Sequence, residues 1–354
     1  MKTLNPLVAK GVRMVGLSAA VPQNKEDNQE LNSLSKRSKK EIIEQVGIRF
    51  RHVAPDSITA SDLCEAAAEK LLTELNWEAK DVGLLVFVSQ TPDHLVPGSA
   101  TQLQSRLGLF QSSMVIDVNQ GCAGYVYGMS IVSGLMKAYG IAKALLLVGD
   151  TITKMVSRTD NSIWPIFSDA GSATAFELDE KASDMSFKLG SKGENFKAIH
   201  ISDGGFRSPV TPDSLIAENV AEGIIRQKNQ LSMNGQAVFT FGLSTVAKSI
   251  SEMLAEQKRT ANSFDYLVLH QANQLLNNSI VRKAGFKPGQ APSSLHDFGN
   301  TSCATVPVTL VSQLREQLQS KRVSLLLSGF GVGLSWANVT LETDGIVCPE
   351  MIYV

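Results

Sequence analysis

Short apolar runs recur along the chain at 84–88, 114–118, 144–149, 266–269 and 323–327. Each is rich in Val, Ile and Leu, and continuous runs of that length read as strands covered on both faces. Val12 to Leu17 reads as a first strand ahead of them. Between the runs, apolar residues return at helical spacing over 61–75, 99–107, 123–139, 243–257, 271–284 and 304–318. Strands alternating with helices predict sheets covered by helices. The stretch from about Asp179 to Gln230 is polar and irregular. It reads as a connection with surface loops, and its Gly204-Gly205 pair marks a turn.

The pattern also repeats itself. Leu85-Val86-Phe87-Val88-Ser89-Gln90 returns as Leu267-Val268-Leu269-His270-Gln271, about 182 positions on. Asp117-Val118-Asn119-Gln120-Gly121-Cys122-Ala123 is matched near offset 181 by Phe298-Gly299-Asn300-Thr301-Ser302-Cys303-Ala304. Leu145-Leu146-Leu147-Val148-Gly149 recurs as Leu325-Leu326-Leu327-Ser328-Gly329, offset 180. Three landmarks at nearly constant spacing indicate duplication, where one pair would not. The expectation is a layered α/β/α/β/α body of two duplicated halves, residues 1–178 and 179–354.

Composition narrows the class. At 354 residues, 43% hydrophobic and 19% charged, the chain can bury a large core. A net charge of −1 lacks the basic excess that nucleic-acid and membrane-surface binders need. No run of eighteen apolar residues suggests a membrane span, and Lys10 and Arg13 break up the N-terminal apolar stretch, which argues against a signal peptide. Cys64, Cys122, Cys303 and Cys348 show neither CxxC nor CxxxC spacing. A disulfide framework or zinc site is therefore not expected, and reduced thiols in a cytoplasmic protein are.

Cys122 carries the first candidate chemistry. It follows the 114–118 run and opens the helical stretch Ala123-Gly124-Tyr125-Val126-Tyr127-Gly128-Met129. A helix start offers unpaired N–H groups and the positive end of the dipole, and both favour thiolate, the nucleophilic form. The plain alternative is a buried structural cysteine. His270 ends a strand, and Asn300 sits in the turn Gly299-Asn300-Thr301-Ser302, which the repeat places at the position of the Cys122 turn. Strand ends are where α/β folds assemble their sites. A cysteine turn, a histidine strand end and an asparagine turn thus fall at equivalent ends of two related halves. Cys64 and Cys303 read as packing, while His52, His94, His200 and His296 show no partner pattern.

These residues resemble β-ketoacyl-acyl-carrier-protein synthase III, the initiating condensing enzyme of bacterial fatty-acid synthesis, with a thiolase-like fold. The resemblance spans nearly the whole chain. It rests on DVNQGCAG at Asp117–Gly124, HQAN at His270–Asn273, GNTS at Gly299–Ser302 and GFGVGLSW at Gly329–Trp336. Support comes from Gly47-Ile48-Arg49, Phe167–Gly171 and Asn234–Phe239. The resemblance implies a cytoplasmic acyltransferase in which Cys122 takes an acyl group from acyl-CoA or an acyl carrier protein. His270 would assist, and the Cys122 and Val332 N–H groups would hold the oxyanion. His270 and Asn300 would then hold the malonyl thioester of malonyl-acyl carrier protein during decarboxylation. Val96 and Phe239 would border the acyl tunnel, and Arg282 and Lys283 would dock carrier protein. The family implies a homodimer and a reaction that needs no metal or redox cofactor.

Some positions depart from the family. Where it grips coenzyme A with a tryptophan and arginines, this chain has Glu41, Gln45, Leu275 and, around a gap, Asn161. Losing a stacking ring and several guanidinium forks weakens adenine and phosphate recognition, so a carrier-protein donor or an altered CoA mode is expected. Val96 replaces a common phenylalanine, which leaves room for a longer or branched acyl chain, and Val332 replaces a common glycine while keeping its N–H. A rival reading is acyl transfer to a hydroxyl or amine on the same fold; Asn300 favours condensation, because it serves the enolate step. A catalytically silent partner subunit is disfavoured by the joint presence of Cys122, His270 and Asn300. The second cysteine of thiolase proper is missing from GFGVG.

Overall fold

A computed structural model describes residues 7–354. Two sheets are built to one plan. The first orders its strands Ile352–Tyr353, Val12–Val21, Ala170–Leu178, Lys143–Asp150, Leu84–Val88 and Met114–Val118. The second runs Leu7–Ala9, Met185–Ser191, Ser335–Asp344, Arg322–Gly331 and Tyr266–Leu269. Corresponding pairs share direction: Leu84–Val88 lies parallel to Lys143–Asp150, as Tyr266–Leu269 does to Arg322–Gly331. Lys143–Asp150 is antiparallel to Ala170–Leu178, as Arg322–Gly331 is to Ser335–Asp344. The chain ends cross over. Leu7–Ala9 pairs into the second sheet, and Ile352–Tyr353 into the first.

The apolar runs alternate faces. Leu84, Val86 and Val88 point into the central layer, where the Gly124–Tyr139 and Thr305–Ser320 helices lie between the sheets with Met129, Met136, Leu310 and Leu314 in one core. Leu85 and Phe87 point the other way, onto the Ala60–Leu75 and Ser99–Arg106 helices. The second sheet repeats this, with Leu267, Leu269 and Leu326 turned outward to a layer that includes the Gln274–Lys283 helix. The layers therefore run α/β/α/β/α. Strands buried on both faces need apolar residues at every position, which is why these runs show no polar alternation.

Two elements differ from the sequence reading. The polar stretch after Asp179 contains a strand of the second sheet, Met185–Ser191, whose Met185 and Phe187 are buried on alternate positions. Its period-two signal is only seven residues long, and polar residues interrupt it. The helix expected at 243–257 starts earlier, at Gly235, where the Asn234 side chain accepts from the Ala237 N–H. It continues through a wide turn at Gly242–Val246 into Ala247–Glu256. The run at Val12–Leu17 is part of Val12–Val21, with Leu7–Ala9 ahead of it.

Candidate active site

Cys122 lies in the turn between the Met114–Val118 strand and the Gly124–Tyr139 helix. The end of the Arg322–Gly331 strand presses onto this turn from the other half. A Cβ at Gly331 would lie 2.7 Å from the Cys122 sulfur, and one at Gly329 would lie 2.8 Å from the Ala123 Cα. Glycine at both positions is therefore a condition for the halves to meet at Cys122. Burial pushes the Cys122 thiol up to about 11; hydrogen bonding from the Val332 N–H counters this most, with smaller help from its own N–H and Ser302, while Asp150 adds to the rise. The thiolate expected at the helix start is thus corrected: desolvation outweighs the helix end, and Cys122 rests as a thiol.

His270 follows the Tyr266–Leu269 strand, its N–H donating to the Ser328 carbonyl (2.7 Å) and its carbonyl accepting from the Asn277 side chain (3.0 Å). The ring meets Phe330 edge-on, with centroids 5.4 Å apart. Its Nδ1 is 2.7 Å from the Thr305 hydroxyl, which also lies 3.2 Å from the Ser302 carbonyl. That hydroxyl carries one hydrogen and can direct it to either acceptor. Directed to Ser302, it leaves Nδ1 protonated and Nε2 a base; directed to Nδ1, it leaves Nε2 as a donor. Burial holds the imidazole down to about 3, with a hydrogen bond to the Ser302 backbone opposing, so the resting ring is neutral.

Asn300 is held at both backbone ends. Its N–H donates to the Ile166 carbonyl and its carbonyl accepts from the Ser168 N–H, both at 3.0 Å. The side-chain Oδ1 accepts from the Ser302 N–H at 3.0 Å. With the oxygen occupied, the amide NH2 is the end left for the cavity.

One cavity of about 290 Å³ brings these groups together. Cys122, His270, Asn300 and Ser302 are among its polar lining, and Ile152, Phe167, Leu231, Met233, Phe239, Phe330 and Val332 are among its apolar walls. Of the residues singled out in the sequence, Cys122, His270, Asn300, Val332 and Phe239 therefore share one site. Val96 does not line this chain's cavity; it is 83% exposed. Arg282 and Lys283 sit at the exposed end of the Gln274–Lys283 helix, with the Lys283 ammonium donating to the Leu243 carbonyl. Sequence reasoning missed Thr305, Phe330 and His200. Thr305 sits five residues after Asn300 and Phe330 inside GFGVG, so position was the available signal; His200 had none. Among the described residues no group of three or more His, Cys, Asp or Glu is placed to hold a metal ion, and no helix is long and apolar enough to cross a membrane.

The geometry agrees with what the chain is similar to. Family models described as 3-oxoacyl-[acyl-carrier-protein] synthase III and its C-terminal part match residues 116–193 and 254–343. The β-ketoacyl-[acyl-carrier-protein] synthase III 2 of Halalkalibacterium halodurans is 30% identical over 332 residues, covering 93% of this chain and 96% of that one. The chain belongs to the β-ketoacyl-[acyl-carrier-protein] synthase III family. The synthase III of Neisseria gonorrhoeae strain NCCP11945 is 28% identical, covering 93% and 98% of the two chains. A crystal structure of the 3-oxoacyl-(acyl-carrier protein) synthase of Burkholderia xenovorans LB400 superposes with a TM-score of 0.93 at 32% identity over the full length of both. As a synthase III family member, the chain has the thiolase-like architecture the repeat implied.

Three of the four departures from the family, at Glu41, Gln45 and Leu275, fall on two adjoining elements. A Cβ on Gly47, just after the Ile42–Val46 helical turn, would touch the Gln274 side chain, so that turn abuts the start of the Gln274–Lys283 helix. Glu41 and Gln45 are exposed there, and Leu275 is 57% exposed. No guanidinium from these positions is available for a phosphate.

Proposed function

We propose that this synthase III family member condenses a Cys122-bound acyl group with a malonyl thioester, giving a 3-oxoacyl product in fatty-acid or related lipid synthesis. The observation that carries the reading is the free amide NH2 of Asn300 facing the cavity that holds Cys122 and His270. As an acyl thioester binds, His270 Nε2 takes the thiol proton while sulfur attacks the carbonyl. The imidazolium returns that proton to the departing carrier thiol. The Cys122 and Val332 N–H groups, already directed at the sulfur's surroundings, hold the tetrahedral oxyanion.

The malonyl thioester then binds with its carbonyl against Asn300. Breaking the carbon–carboxylate bond releases CO2 and leaves an enolate, held by the Asn300 amide and by His270 Nε2–H. Between the half-reactions the neutral ring gives its Nδ1 proton to solvent and takes one on Nε2, and Thr305 then donates to Nδ1. The enolate carbon attacks the Cys122 thioester, and the thiolate expelled takes up a proton. A neutral resting imidazole suits both steps, because one ring must accept a proton first and donate a hydrogen bond later. Acyl transfer to a hydroxyl or amine would leave the Asn300 donor without a task.

The Glu41, Gln45 and Leu275 positions support a carrier-protein donor over coenzyme A. Arg282 and Lys283 would meet its acidic surface. Exposed Leu95 and Val96 fit a homodimer in which each chain's Val96 borders the partner's acyl tunnel. Intact-protein mass spectrometry tests all but the dimer: matched acyl-CoA and acyl-carrier donors are offered, then malonyl-carrier protein. Addition of one acyl mass on Cys122, faster from the carrier and lost on malonyl addition with a 3-oxoacyl product, is expected. Loss of the acyl group by hydrolysis alone would overturn condensation.

A further inference from the structure

His200 interrupts the apolar wall of the cavity. It lies between Ile199 and Ile201, facing Leu231 and Met233 on the neighbouring segment, and all five line the space. In the short antiparallel pair Ile199–His200 and Ser232–Met233, His200 stands directly opposite Ser232. Residues so paired project their side chains on the same face. The Ser232 hydroxyl is 3.0 Å from the His200 carbonyl and 3.2 Å from its Nδ1. Nδ1 is therefore turned to serine, and Nε2, without a partner among the described residues, is the nitrogen left for the cavity.

We infer that the His200–Ser232 pair selects an acyl donor carrying a hydroxyl group on its chain. This inference rests on the reading of the cavity as the acyl site. The serine hydroxyl has one hydrogen. Given to the carbonyl, it leaves Nδ1–H donating to serine and Nε2 as an acceptor; given to Nδ1, it makes Nε2–H a donor. A hydroxyl satisfies Nε2 in either state, because it both donates and accepts. A methylene satisfies neither, and an unsubstituted chain packed on His200 strips water from a polar nitrogen without replacing it. A wall meant only for saturated chain has no use for a ring fixed in this way.

The test loads one carrier protein with acyl chains hydroxylated at successive positions, in either configuration, and, separately, with the unsubstituted chain of equal length. Cys122 acylation is timed by intact mass for the wild type, His200→Leu and Ser232→Ala, with thermal melts to confirm folding. In the wild type one hydroxy donor is expected to react about 3- to 10-fold faster than the plain chain, the worth of one hydrogen bond. His200→Leu reverses that preference, and Ser232→Ala reduces it. Equal rates in the wild type, or a ratio unmoved by His200→Leu, overturn the inference even where Cys122 is acylated normally. Absence of acylation by every donor would instead overturn the synthase reading.

Discussion

The candidate active site, built from both halves, has a counterpart in which the halves exchange roles, and the two have opposite fates. Val88 pairs with Val148 in the first sheet, and Leu269 with Ser328 in the second. In that register Ser89 is the counterpart of His270, Asp150 of Phe330, and Cys303 of Cys122. In the copy that holds the cavity, Phe330 and His270 meet in a T-shaped contact, and the Cys122 thiol opens onto the cavity. In the mirror copy, the buried Asp150 carboxylate gathers the Ser89 hydroxyl (3.0 Å), the Gln90 N–H (2.7 Å) and the Cys303 thiol (3.2 Å). A carboxylate in that corner draws donors inward and seals the space; an aromatic ring makes a wall and leaves it open. Burial and Asp150 together hold the Cys303 thiol well above its ordinary range. One duplicated turn thus presents a thiol to the cavity in one copy and a packed thiol in the other.

The largest expected effect separates the two cysteines. Cys122→Ala should lower condensation by about 10⁴-fold or more, as removal of a nucleophile does. Cys303→Ala should keep the wild-type order of rate and cost about 1–2 kcal/mol of stability. Product formation by mass spectrometry and chemical unfolding read the two; comparable activity losses would mean that the mirror site is not merely structural. Next, Asn300→Ala should slow condensation by about 10²- to 10³-fold while Cys122 still acylates, because the amide serves the enolate. Failure of acylation in that variant would place Asn300 in the first half-reaction instead.

Much of this was legible in the sequence, for a definable reason. The duplication appeared because buried parallel strands must be apolar at every position, so both copies kept the signal. Cys122, His270 and Asn300 stood out because the repeat set their turns at equivalent strand ends. The strand Met185–Ser191 was hidden because it is polar on one side and short. The ionisation of Cys122 went the other way from the local reading, since a helix start is visible in sequence whereas Gly329 and Gly331 bringing the second sheet over the sulfur is not. Likewise His200 gained meaning only when Ser232, thirty-two positions away, was found opposite it.

The sealing role of Asp150 gives the third effect. Asp150→Ala strands the Gln90 N–H and leaves the Ser89 hydroxyl and the Cys303 thiol only their weaker contacts with Thr91 and the Val88 carbonyl, at 3.3 and 3.8 Å; unpaired buried donors cost about 1–3 kcal/mol each. A loss of about 3 kcal/mol is expected in urea unfolding, with Asp150→Asn, which keeps an acceptor, losing less. Equal stability of the alanine variant and the wild type would remove the carboxylate from the account of why the mirror site is closed.

The smallest effect comes from the histidine that only one copy possesses. His270 titrates near 3 in the folded chain, below the ordinary histidine value of about 6.5. Between those values the unfolded chain binds a proton that the native site refuses, so stability falls as pH drops through that window. His52, lowered by burial, adds to the same acid limb, while Asp169, raised to about 6, works against it below about pH 6. The informative quantity is therefore the difference between wild type and His270→Gln, not the raw slope. Between pH 6.5 and 5.5 the wild type should lose about 1 kcal/mol more than the variant. Ser89, the counterpart of His270, has no proton to gain in this range, and Ser89→Ala should leave the acid slope as it is. Parallel acid limbs for wild type and His270→Gln would mean that the His270 imidazole is solvated rather than sealed, and the contrast between the open and closed copies would lose its electrostatic half.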